Sequence, residues 1–370
     1  MTLYKMEIYK ICHRKIFVVF SVCVIAILLF AFGMQVLDEE ATIDGVRYIG
    51  YRAVQINRQI TEEFKGVLTD EKVEKIAEKY GFPHKVESGW NHFRDENFLT
   101  QFVLEYDLSD GYMRSENDYR VGKKTCPIAD SSLGAVIELS GKEIILEYYH
   151  GWTAFLEVLA ISMVMGSILV LLSLSIIFAN ERQTKMLPLI FTTVEGRKTD
   201  IHAKVAAAFT ITTVIWTVIF LLDLSLCGIV YGFDGLNCYN GMVVYLNYLL
   251  PWPERMIPMY YYVLMAVVLS LFGFIFLCAI TICISARCKS SFHAVAVAAA
   301  CFGGPVLAAM FTDGFVGIGK ILAAAPVFMV IYSVVDKIYD IWLMPVGVAA
   351  VMSVICVLTA YRKYNGQQGF

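Results

Sequence analysis

Two carboxylates fall inside long apolar runs, Glu157 in span two and Asp223 in span three, both toward the outer half. A charge at bilayer depth is costly, about 2.5–3.5 kcal/mol on insertion scales. Such acids line a path or bind a cation, or else they bond locally near the headgroups. Most of the ten cysteines also sit in apolar runs, where a thiol acts as a small hydrophobe. No pair has C-x-x-C spacing. Only Cys126 and Cys238 fall outside the runs on the non-cytoplasmic side; they either bridge or stay two separate thiols. The histidines (His13, His84, His92, His150, His202 and His293) show no i,i+3 or i,i+4 pair, so no helical metal site is expected. Gly314–Lys320 matches G-x-x-x-x-G-K, but Ile321 follows where Ser or Thr would hold Mg²⁺. H-E-x-x-H and G-x-S-x-G patterns are absent from the sequence. No catalytic constellation remains.

The elements that position these residues follow from hydropathy. The chain has 370 residues, 58% of them hydrophobic, with mean hydropathy +0.62. The excess over the ~45–50% of soluble domains is concentrated in runs of span length. Roughly 20 apolar helical residues cross a bilayer, and lipid leaves the backbone no alternative to a helix. The expected fold is therefore an all-α polytopic membrane protein with six spans. They are expected at 16–36, 152–179, 205–231, 258–286, 292–311 and 341–361. Residues 1–15 read as an interfacial helix with Tyr4, Ile8 and Ile11 at helical spacing, and span one as a retained anchor.

Residues 37–151 form a soluble block, expected to be a small α or α+β extracellular domain. From Asp38 to His150 there are 22 Asp plus Glu against 14 Lys plus Arg; the rest of the chain has 11 against 16. Nothing in this charge balance suggests nucleic acid. Thr69 before Asp70-Glu71 caps a helix whose apolar stripe is Val73, Ile76 and Ala77, stopped at Gly81. Val136-Ile137 and Ile144–Leu146 look like strands. Residues 180–204 form a loop, 232–257 an outer loop and 362–370 a tail.

Residues 314–335 are apolar enough for a seventh span, but Lys320 and Pro326 oppose it. With six spans, 13 of the 16 basic residues outside the soluble block face inward; only Arg255, Lys320 and Lys337 do not. Hence 314–335 is read as re-entrant helices on the outer side, both termini as cytoplasmic and the acidic block as extracellular.

The loop after span two runs Glu181-Arg182-Gln183-Thr184-Lys185-Met186-Leu187-Pro188-Leu189-Ile190-Phe191-Thr192-Thr193, then Gly196-Arg197 and Ala203-Lys204. Charges come first and apolar residues follow, as in a surface helix between two spans that can offer a face to a partner. This order resembles the permease subunits of type-2 ABC transporters, in Glu181-Arg182, Thr184, Thr192-Thr193, Gly196-Arg197 and Ala203-Lys204. The family usually has Pro after the second Thr, where this chain has Val194 and Glu195 and carries Pro188 earlier. The layout outside the acidic block is similar as well, and an ectodomain between the first two spans resembles a bacterial subset.

The resemblance implies a coupling helix that docks a P-loop ATPase subunit through Glu181, Arg182, Thr184, Lys185, Leu187, Leu189, Thr192, Thr193 and Arg197. It implies a second transmembrane subunit, the same chain or a different one, and no cofactor on this chain, ATP and Mg²⁺ being held by the ATPase. It implies export across a bacterial cell membrane, with no enzyme activity in this chain. A membrane-anchored sensor or assembly protein with a ligand-binding ectodomain is the other reading that the residues leave open.

Overall fold

The computed structural model describes residues 2–370 except 81–83, 86–90, 93–94, 106–107, 109–124, 132, 135–136, 139–140, 194–197, 239–257, 311–321, 333–340 and 367–370. Among the described residues, six helices are long and apolar enough to cross a membrane. The chain is thus an all-α, multi-pass membrane protein. In order, the helices are α1 (Leu3–Cys12), α2 (Lys15–Leu37), α3 (Tyr51–Phe64), α4 (Asp70–Tyr80), α5 (Phe98–Glu105), α6 (His150–Leu174), α7 (Ala179–Gln183), α8 (Leu187–Thr192), α9 (Lys198–Val230), α10 (Met259–Ser285), α11 (Ser291–Met310), α12 (Pro326–Val330) and α13 (Leu343–Asn365).

The helices divide into two units. One comprises Met1–Leu29, Val158–Asp223 and Leu264–Phe370; the other comprises Phe30–Glu157 and Leu224–Val263. In the first unit, burial ranks the spans. Of an apolar 18-residue stretch in each, 67% is buried in the α6–α7 segment and 56% in α10, against 17% in α2 and α11. Small and polar residues set the close approaches. A Cβ on Gly166 would press on Ile219 Cδ1 and lie 3.2 Å from Phe274 Cζ, so α6, α9 and α10 meet there. Trp216 Nε1 donates to Ser270 Oγ at 3.1 Å, tying α9 to α10. The five residues of α12 are all buried. A Cβ on Gly273 would lie 3.0 Å from Val330 Cγ2, so α12 rests on α10. Five residues cannot span a bilayer; the Lys320 half of the 314–335 stretch lies outside the described residues.

The second unit contains the soluble block. Its helix α4 buries Val73, Ile76, Ala77 and Tyr80, and Lys72 N donates to Thr69 Oγ1 at 3.3 Å, which makes Thr69 its cap. The short pair of β3 (Gly66–Val67) with β6 (Ile145–Leu146) is antiparallel. A hairpin precedes these elements: β1 (Glu40–Ile43) pairs with β2 (Val46–Ile49) through Asp44-Gly45, both at positive φ. An Asp-Gly turn with both residues left-handed is the turn that matches strand twist. The remaining strands, β4 (His84–Lys85) and β5 (Asn91–His92), pair with one another.

Several span ends differ from the sequence expectation. The second candidate span covers His150–Gln183; within it residues 175–178 are turns that separate α6 from α7. Ser173 Oγ donates to Leu169 O at 2.6 Å, a back-bond that bends helices. Span three starts at Lys198, not at 205, so Lys198–Lys204 are helix instead of loop. Span six runs on to Asn365.

The packing at Gly166 predicts that Gly166→Leu lowers stability by about 1–3 kcal/mol through overpacking. Gly347→Ala, where the added Cβ meets nothing within 4 Å, leaves the unfolding temperature no lower. Thermal unfolding in detergent reads both.

Candidate functional site

At one end of the first unit, the Lys204 side chain is fully buried. Its Nζ donates to Glu181 Oε2 at 2.6 Å and to Asp200 Oδ2 at 2.5 Å. The rings of Phe178 and Tyr364 lie 5.6 and 5.7 Å from the ammonium. Tyr364 OH also donates to Asp200 Oδ2, at 2.5 Å. One lysine therefore joins the end of the α6–α7 segment, the start of α9 and the end of α13. Helix α1 lies beside this cluster: Glu7 is buried and pairs with Lys10 at 2.5 Å, and Tyr4 OH lies 2.9 Å from Thr210 Oγ1. Burial works against the Lys10 charge. Glu7 outweighs it, helped by Glu181 and Asp200, and the Lys10 pKa rises. At Arg14 burial prevails over Glu7 and Glu181, and the pKa falls. Helix α1 is thus docked on the bundle by charge as well as by buried Ile11.

The segment that follows is anchored at its base and open at its tip. Ser285 Oγ accepts from the N–H groups of Phe178 and Ala179 at 3.0 and 3.3 Å, satisfying the start of α7. The Arg182 guanidinium donates to the carbonyls of Cys288, at 3.1 Å, and Ala286. The side chain of Gln183 accepts from Ser291 N at 3.0 Å. Both residues tie α7 to the turn between α10 and α11. Lys185 then takes φ +56. Met186 N bonds Glu181 O and Lys185 N bonds Arg182 O. This is the Schellman closure, with lysine where glycine is usual. Thr184 Oγ1 donates to Asn180 O at 2.9 Å.

Helix α8 then begins with Pro188 in its first turn and has no buried residue. Leu189 is 61% exposed, Met186 is exposed and Leu187 half-buried. Thr192 and Thr193 turn their hydroxyls back onto Leu189 O and Ile190 O, each at 2.7 Å. Phe191 meets Tyr364 edge to face at 5.2 Å, linking α8 to the charged cluster. Arg197, with Gly196, lies outside the described residues.

The two intramembrane acids fall in different units. Asp223 is fully buried, and neither carboxylate oxygen is hydrogen-bonded. The Ser162 hydroxyl is its polar neighbour, without hydrogen-bond geometry. Glu157 is half-buried on α6 and lines a cavity of 440 Å³ in the second unit, bounded by the end of α2, β1 and the first turns of α6.

Cys126 and Cys238 are two thiols and form no bridge. Cys238 Sγ is instead engaged by the Ile145 carbonyl at 3.3 Å. Burial, with Glu147 adding to it, pushes the Cys238 thiol up to about 12. Among the described residues, no three of His, Cys, Asp and Glu are placed to hold a metal ion. The P-loop-like 314–320 lies outside the described residues.

Sequence reasoning missed Asp200, Tyr364 and Glu7 as partners in one cluster. The i,i+4 spacing of Asp200 and Lys204 was the available signal; Tyr364 had none. No protein family, curated protein or solved structure matches this chain.

Removing the ammonium leaves the buried Asp200 and the half-buried Glu181 without their cation, so Lys204→Met should cost about 3–5 kcal/mol. Tyr364→Phe should cost about 1.5–3 kcal/mol, the value of a hydrogen bond to a charged group. Unfolding in detergent measures both. For the thiols, the unfolded protein without reductant should take up maleimide at all ten cysteines, while Cys238 stays unlabelled in the folded chain. Reductant-dependent labelling of Cys126 and Cys238 would reveal a bridge.

Proposed function

We propose that this chain is the transmembrane permease subunit of an ATP-binding cassette transporter, an exporter in a bacterial cell membrane. A separate P-loop ATPase docks on α8, and a second transmembrane subunit completes the path. The observation that carries this reading is the contrast along 179–193. The base is fixed by Ser285, by Arg182 on two carbonyls and by Lys204 on Glu181. The tip is a short apolar helix with no buried residue. A helix built this way can receive a push at its exposed face and pass it to the spans, because its base cannot slip.

Several features agree with this reading. Six crossings return the C-terminus to the face of the N-terminus, where Arg362 and Lys363 close α13 and α1 carries Lys5 and Lys10. That is the face the positive-inside rule assigns to the cytoplasm. The acidic block between α2 and α6 is then extracellular, and 314–335 is a re-entrant element. Glu157 and Asp223 are the candidates for the translocation path, since ionisable groups at that depth usually face a cavity or bundle interior. ATP and Mg²⁺ belong to the partner; this chain supplies docking, leverage and the path.

The test is affinity purification in mild detergent with identification of co-eluting chains. A P-loop ATPase should co-elute, and Leu189→Glu should reduce it by about tenfold or more, as loss of a central apolar contact does. That variant should keep its unfolding temperature, because Leu189 is exposed. Absence of any ATPase would contradict the proposal. A membrane-anchored sensor or assembly protein would instead retain ectodomain ligand binding with no ATPase present.

A further inference from the structure

Two thiols from different spans meet in the first unit. Cys283 lies in the last turn of α10 and Cys356 lies within α13. Their side chains are hydrogen-bonding neighbours. Both are free thiols, Cys283 buried and Cys356 half-buried. Arg287, in the turn after α10, donates from Nη1 to Cys283 Sγ at 3.3 Å. A cysteine that only fills apolar space needs neither a second thiol nor a guanidinium beside it.

This arrangement has the parts that sulfur oxidation needs. A disulfide requires two sulfurs that can close to about 2.05 Å. Sulfurs already in hydrogen-bond reach must approach by only about 2 Å, a distance that side-chain rotation can supply. The attacking species is the thiolate, and reactive cysteines sit beside cationic side chains in partly exposed surroundings. The pair divides these properties. Cys356 is the reachable thiol, and Cys283 is the one with the guanidinium.

The two helices are also the ones that hold the base of the 179–193 segment. The end of α10 supplies Ser285 Oγ to the start of α7, and the turn after it supplies two carbonyls to Arg182. The end of α13 supplies Tyr364 to the Lys204 cluster. A covalent bond between Cys283 and Cys356 would fix these two supports to one another.

We propose that Cys283 and Cys356 form a redox modification site, a dithiol that a peroxide converts to a disulfide linking α10 to α13. Cys356 Sγ attacks the peroxide; the O–O bond breaks, one water leaves, and Cys356 becomes a sulfenic acid. Cys283 Sγ, assisted by Arg287, attacks that sulfur; the S–O bond breaks and the second water leaves. The two thiols together lose two electrons and two protons, and the peroxide takes up both. A small thiol reductant reverses the bridge by exchange. The site lies within one unit and needs no ATPase docked elsewhere.

The test is titration of the full-length protein in detergent with hydrogen peroxide. Remaining thiols are blocked with N-ethylmaleimide in denaturant, and the digest is read by mass spectrometry. One cross-link within the chain, from 283 to 356, is expected, with two fewer blocked cysteines; dithiothreitol should restore both. Cys356→Ala should abolish the cross-link. Arg287→Gln should slow it several-fold, and Arg287→Lys, which keeps the cation, should restore most of the rate. A packing role alone would not give that rescue. The proposal is overturned if peroxide yields only sulfinic or sulfonic acids, or if the cross-link joins other cysteines or two chains. It is equally overturned if Arg287→Gln cross-links as fast as the parent. If that variant does not fold, Cys356→Ala decides: continued loss of two thiols per chain would overturn the proposal.

Discussion

The buried ammonium of Lys204 is the constraint on which the first unit depends. A fully buried lysine is tolerated only when paired, and here two carboxylates and two aromatic faces surround it. The attraction itself adds little net stability, because both charges must first be desolvated. Its consequence is geometric. Glu181, Asp200 and Tyr364 come from three parts of the chain, and each is fixed relative to the others once Lys204 is satisfied. Helix α7 inherits its position from this cluster and from Ser285 at its other end. Helix α8 inherits its own from the Schellman closure at Lys185 and the contact of Phe191 with Tyr364.

Much of this was legible in the sequence, for identifiable reasons. Uninterrupted apolar runs fix the six long helices, because lipid permits only one backbone solution. The stripe of Val73, Ile76 and Ala77 behind Thr69 marks α4 in the same direct way. The hairpin at Asp44-Gly45 carries an equally local signal, an Asp-Gly pair at the turn. Span ends were harder to place. Lys198–Lys204 look like loop because they are charged, yet they are the first turns of α9, and Asp200 and Lys204 satisfy each other inside it.

Long-range partners were not legible. Tyr364 is 164 positions from Asp200, and no local pattern announces that they meet. Glu7 reads as an ordinary surface acid in a basic segment, but it is buried beside Lys10. Cys126 and Cys238 looked eligible to bridge by elimination alone. The structure instead gives the Cys238 thiol a carbonyl to engage. The polar sites of the two units thus contrast. The charged cluster of the first is closed on itself, while the cavity of the second is lined by Asp38, Glu39, Glu40, Glu96 and Glu157.

The central claim is that the exposed tip at Leu189 is where an ATPase transmits force to a rigidly based segment. Its most direct measurement is photo-crosslinking in intact cells from a benzophenone amino acid placed at position 189. The account predicts a crosslinked product that contains a P-loop ATPase and disappears when that ATPase is deleted. Crosslinks to lipid alone, or to proteins without a P-loop, would contradict it.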